Sequence, residues 1–85
     1  MVNITVLTQS SCAYCDHAKE ILSRLAPDYS LDISEVGLQT EEGRKLAIAN
    51  GVMFAPGILI DGKLFSFGRL SEKKLKFKLD RERAE

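Results

Sequence analysis

Cys12 and Cys15 are the two cysteines of the chain, separated only by Ala13 and Tyr14. Residues three apart lie on the same side of a helix, so a first helical turn beginning here brings the two sulfurs within disulfide reach. Such a pair can open and close. Opening another disulfide requires one sulfur as a thiolate, and a helix N-terminus favours that form, because its unpaired N–H groups and the positive end of the macrodipole point at the first cysteine. Cys12 is therefore the candidate nucleophile. Cys15, one turn further in, is expected to be the more buried of the two. A loop this short constrains the unfolded chain very little, so the pair is not a structural staple. It reads as a working dithiol in a reducing compartment.

The elements around this pair can be read from period and punctuation. Val2, Ile4, Val6 and Leu7, with Thr5 between, form a buried strand that delivers the chain to the cysteines. Ser11 is of N-cap type, and Tyr14, Ala18, Ile21, Leu22 and Leu25 then fall on one helical face, with Pro27 expected to stop the helix near Ala26. Leu31, Ile33 and Val36, interleaved with acidic residues, suit an outer strand. Thr40 can cap a second helix with Glu41 and Glu42 at its positive end, Leu46, Ala47 and Ile48 as its apolar side, and Asn50-Gly51 as a left-handed stop. Gly57–Ile60 and Lys63–Phe67 flank Asp61-Gly62, a strong hairpin signal. Ser71 can cap a last helix through Leu75 and Leu79. Lys74 to Leu79 alternates as a strand would, but the Lys, Leu, Glu and Arg content favours helix, which leaves Phe77 off the apolar face.

The order strand, helix, strand, helix, strand, strand, helix predicts an α/β fold. A right-handed βαβ unit feeds a hairpin, giving a four-stranded mixed sheet with three helices on its two faces. The first strand then lies inside the sheet, with Cys12 at its C-terminal end. A single domain over residues 1–85 is expected from the length.

Twelve basic and twelve acidic side chains cancel, so no global field argues for nucleic acid or a membrane as partner. Basic residues gather at Arg69, Lys73, Lys74, Lys76 and Lys78, which reads as a solvated helix face or a dock for an acidic partner. Met1 leads at once into a run too short for a signal core, and no segment approaches membrane-spanning length, so a soluble cytoplasmic protein is the expectation.

Cys12-Ala13-Tyr14-Cys15 after an N-terminal strand, Ala55-Pro56 before the third strand, Ile60-Asp61-Gly62-Lys63 and Phe67-Gly68-Arg69-Leu70-Ser71 together resemble the thioredoxin-fold family, and within it the small glutaredoxin-like branch. The resemblance implies a thiol–disulfide oxidoreductase in which Cys12 attacks and Cys15 resolves the mixed disulfide. It also implies that Pro56 is cis and faces the dithiol, and that the backbone of Ala55 pairs with the bound thiol's peptide. Gln9, Tyr14, Gly68 and Arg69 fall where the thiol-binding rim would be. Glutaredoxins usually have Pro where Ala13 stands, a basic residue where Gln9 stands, and Gly-Gly followed by an acidic residue where this chain has Gly68-Arg69. That last turn is equally similar to small archaeal-type thioredoxins and to redoxins that serve ribonucleotide reductase. The resemblance thus implies protein disulfide substrates and either glutathione, as a co-substrate, or a thioredoxin reductase as electron donor. No bound cofactor is expected, since the sulfurs carry the electrons, and a monomer is expected.

Two other readings use the same residues. Cys12, Cys15 and His17 are metal-ligand types, but a structural zinc site usually has four protein ligands and the chain has no second cysteine pair or further histidine. Two chains could still share an ion or an iron–sulfur cluster. Otherwise His17 is a surface helix residue, and Tyr14 either packs or lines the rim. A non-catalytic partner-binding module is the other class, and an exposed reactive thiolate at a helix start argues against it.

Overall fold

The computed structural model describes residues 2–84. Strand β1 (Val2–Thr8) is followed by helix α1 (Ala13–Tyr29), strand β2 (Leu31–Gly37), helix α2 (Glu41–Asn50), strands β3 (Gly57–Ile60) and β4 (Lys63–Phe67), and helix α3 (Glu72–Ala84). The strands form one mixed sheet in the order β2-β1-β3-β4, with β1 parallel to β2 and antiparallel to β3. This is the predicted order and topology, with β1 inside and the acidic β2 at an edge. Alternation along β1 and β3 turns Ile4, Val6, Ile58 and Ile60 to one face, where they meet Ala18, Ile21, Leu22 and Leu25 of α1 and Leu75 and Leu79 of α3 in the main core. Leu7 and Leu59 are buried outside that cluster, on the opposite face by the same alternation.

The hairpin turn is made as expected. Asp61 and Gly62 both have positive φ, 50° and 83°, as a two-residue turn of this hand requires. Asp61 also ties the turn to β1, its N–H donating to the Asn3 carbonyl at 2.8 Å and its Oδ1 accepting from the Asn3 N–H at 3.0 Å.

Helix α1 departs from expectation at both ends. Its N-cap is Cys12, not Ser11, and Ser11 instead turns the chain with φ of 55°. At the other end Pro27 lies inside the last turn rather than ending the helix, and Ser30 in the left-handed region closes it, its N–H donating to the Ala26 carbonyl. Proline removes a single intrahelical bond, and tertiary contact outweighs that loss: Leu25 is buried, while Tyr29 packs on the core and donates its hydroxyl to Asp80 Oδ1 at 2.7 Å.

Helix α2 has the predicted caps, Thr40 and the left-handed Gly51, but not the predicted apolar side. Leu46 and Ala47 are half-buried, and Ile48 is 82% exposed. The contact is made instead by Gly43, which lies directly against the backbone of Gly37. Thr40 Oγ1 fastens this corner twice, accepting the Gly43 N–H at 3.0 Å and donating to the Gly37 carbonyl at 2.7 Å. Thr40→Ala removes both and is expected to lower stability by about 1–2 kcal/mol, the upper part of the range for an N-cap. The chemical denaturation midpoint measures it, and Thr40→Ser, which keeps the hydroxyl, should recover most of the loss.

Helix α3 is a helix despite the alternating pattern. Ser71 Oγ accepts the Lys74 N–H at 3.3 Å, Leu75 and Leu79 are fully buried, and Phe77 is exposed, as the helical reading requires.

Candidate active site

Strand register gathers the candidate residues. Leu7 of β1 pairs with Gly57 of β3, which pairs with Phe67 of β4, and Thr8 pairs with Gly37 of β2. The loop leaving β1, the loop entering β3 and the loop leaving β4 therefore share one end of the sheet. Those loops carry Gln9 and Cys12, Ala55 and Pro56, and Gly68 and Arg69.

Cys12 and Cys15 are joined by a disulfide, with their Cα atoms 5.2 Å apart. The two sulfurs have unequal settings. Cys12 is half-buried at the cap, whereas Cys15 is 1% exposed within the first turn of α1. The Cys15 N–H donates to Cys12 Sγ at 3.1 Å, so the cap bond usually accepted by a hydroxyl or carboxylate is accepted here by sulfur. A backbone donor aimed at that atom favours negative charge on it once the disulfide opens. Cys15 takes the inward position on α1, and Tyr14, read either as packing or as rim, is 56% exposed. The sulfur with no room for a partner is thus the second one.

The Ala55–Pro56 peptide is cis, and both residues are buried. The Gly68 N–H donates to the Pro56 carbonyl at 2.8 Å, which joins the β3 and β4 loops. Gly68 has φ of 84°, a value that suits glycine. Gln9, Tyr14 and Arg69 are exposed at this end of the sheet. Among the described residues, no group of three or more His, Cys, Asp or Glu side chains is placed to hold a metal ion. Among the described residues, no helix is long and apolar enough to cross a membrane.

Two residues of this rim were not expected. Met53 and Phe54, just before Ala55-Pro56, are both exposed. The Phe54 ring packs edge-on against Phe67 with centroids 5.0 Å apart, and a Cβ added to Gly68 would lie 2.8 Å from its Cε2 atom. The available signal was an aromatic residue beside a proline in a stretch with neither helical nor strand period, where no core face could claim it.

A family model described as a thioredoxin domain matches residues 2–79. A protein of Archaeoglobus fulgidus described as a probable thioredoxin is 28% identical over 76 residues, covering 89% of this chain and 84% of that protein. One of Methanothermobacter thermautotrophicus with the same description is 30% identical over 77 residues, 88% of each chain. Among solved structures, a mutant thioredoxin from Halobacterium salinarum NRC-1 superposes with a TM-score of 0.72 at 21% identity, covering 94% of this chain and 73% of that one. At that identity the likeness shows the fold alone.

Proposed function

This chain belongs to the thioredoxin-domain family, and we propose that it reduces protein disulfides, with Cys12 as the attacking sulfur and Cys15 as the resolving one. Thiol–disulfide redox chemistry is the function that membership carries, and the Cys12–Cys15 disulfide is the oxidised form of the couple. In the reduced protein the Cys12 thiolate bonds to one sulfur of the substrate disulfide, the substrate S–S bond breaks, and the other substrate sulfur leaves as a thiolate. Cys15, having lost its proton, then bonds to the Cys12 sulfur and expels the first substrate sulfur. Two electrons pass to the substrate, which takes up two protons, and the protein is left as the disulfide. The observation that carries this assignment is the unequal setting of the sulfurs. An incoming disulfide can reach half-buried Cys12 and not Cys15, while Cys15 needs to reach only Cys12.

The rest of the rim has a consistent use. The backbone of Ala55, held by the cis bond to Pro56, pairs with the substrate peptide, while Gln9, Tyr14, Gly68 and Arg69 border the groove. For the electron donor we favour a thioredoxin-reductase-type dithiol enzyme over glutathione. The support is Gly68-Arg69 in place of Gly-Gly and an acidic residue, Gln9 in place of a base, and relatives described as thioredoxins. Turnover of a protein disulfide, coupled in parallel to thioredoxin reductase and to glutathione with its reductase, tests this. Turnover with the former alone is expected. Turnover with glutathione alone would restore the glutaredoxin reading, and none with either would favour a binding role.

A further inference from the structure

Between the start of α1, the loop after β4 and the start of α3, one pocket is lined by side chains from all three. His17 and Ile21 come from α1, Arg69 and Leu70 from the loop after β4, and Lys74 from the first turn of α3. Ile21 and Leu70 are buried and form the floor, while His17, Arg69 and Lys74 are exposed around the mouth. The single acid in the lining, Glu72, is engaged elsewhere, its Oε1 lying 2.9 Å from Nη2 of Arg24. Among the described residues, Arg69 and Lys74 have no ion-pair partner. Arg69 and Lys74 therefore bring two positive charges to one pocket whose single acid is paired with Arg24, on a chain whose net charge is zero. A solvated basic face would spread its cations outward. Here Arg69 and Lys74 line the same pocket, above buried Ile21 and Leu70.

The pocket is placed to be felt by whatever docks at Cys12. Tyr14, His17 and Ile21 are spaced i, i+3 and i+7, so the exposed Tyr14 next to Cys15 lies on the same side of α1 as the pocket. On the other side, Arg69 follows Gly68, which is bonded to Pro56. At 1.5 Å per residue, the five residues from Cys12 to His17 advance about 7–8 Å along the helix. An extended peptide at about 3.3 Å per residue covers that distance in two to three residues.

Resting on the proposed function, we infer that this pocket is a specificity subsite for a carboxylate side chain, and that the substrates are polypeptides bearing Asp or Glu two or three residues from the disulfide cysteine. The acid lies over Leu70 and Ile21 and pairs with Arg69 and Lys74, while the backbone beside the cysteine occupies the groove at Ala55-Pro56.

The test uses one neutral peptide disulfide prepared with Asp, Asn or Lys at the second or third residue from cysteine, and reads kcat/KM with the whole protein. The order Asp over Asn over Lys is expected, with a span of about three- to tenfold, the size of one or two exposed ion pairs. It should be carried by KM, and should shrink as salt screens the pair. Arg69→Glu with Lys74→Glu should invert the order, so that the Lys peptide becomes the better substrate. Equal values for the three peptides, a preference indifferent to salt, or the same order in the charge-reversed protein would overturn the subsite. Turnover of bis(2-hydroxyethyl) disulfide by the wild-type protein separates the two ideas. If that neutral compound is reduced while the peptides are not distinguished, the subsite alone fails. If nothing is reduced, the proposed function fails with it.

Discussion

Cys12→Ser is expected to reduce turnover of any disulfide substrate to background, a fall of at least about a thousandfold, on the scale of removing a nucleophile. Cys15→Ser should behave differently. Its Cys12 sulfur remains half-buried at the cap of α1 with the backbone donor aimed at it, so the first attack should proceed and the second should not. The expected product is a stable mixed disulfide between Cys12 and the substrate, visible by mass spectrometry and released by dithiothreitol. The asymmetry rests on exposure, since Cys15 at 1% presents almost no surface to an incoming disulfide. A Cys12→Ser protein that still formed a mixed disulfide through Cys15 would reverse the assignment. Full turnover of a protein disulfide by Cys15→Ser would remove the resolving role and leave a single-cysteine route.

Much of this arrangement is legible in the chain because its punctuation is local. Asp61-Gly62 needs two positive φ values and little else, so the β3–β4 hairpin could be placed to the residue. Thr40 and Gly51 bound α2 for equally local reasons. Topology followed from element order, since a βαβ unit feeding a hairpin leaves few arrangements, and it put β1 inside and Cys12 at its end. The failures fall where tertiary contact overrides a local rule. Pro27 is retained in α1 because Tyr29 is held by the core and by Asp80. Ser11 yields the cap to Cys12, whose sulfur takes the bond a hydroxyl would normally accept. Of the candidate site, Cys12, Cys15, Ala55-Pro56 and Gly68-Arg69 could be named from spacing and resemblance, but their meeting at one end is a matter of register. The exposed Phe54 beside Gly68, and the approach of His17 and Lys74 to Arg69, depend on how loops and helices fold over the sheet, and no local period encodes them.

Gly43→Ala shows the same conflict in energetic form, and its sign separates the two levels. By intrinsic propensity, alanine in a helix is better than glycine by up to about 1 kcal/mol, so the substitution should stabilise α2. The packing says otherwise. A Cβ at residue 43 would overlap the carbonyl oxygen of Gly37 and crowd the Cα of Leu38, both backbone atoms. Neither can swing aside as a side chain would, because Gly37 is paired with Thr8 in the sheet and the Leu38 N–H donates to the Thr8 carbonyl at 2.7 Å. Helix α2 must move instead, which breaks the two bonds that the Thr40 N–H and hydroxyl donate to the Gly37 carbonyl. Because Leu46 and Ala47 are only half-buried and Ile48 is exposed, little core is lost when the helix lifts, and this caps the cost. The net loss is expected to be about 3 kcal/mol, the upper part of the usual range for overpacking. That is a large share of the roughly 4–13 kcal/mol that 0.05–0.15 kcal/mol per residue allows a chain of this length. It corresponds to a fall in Tm of about 12–24 °C at 4–8 °C per kcal/mol. A urea titration with unchanged slope and a lower midpoint would record it, whereas a midpoint equal to or above that of the wild type would mean that propensity, and not the contact with Gly37, governs this corner.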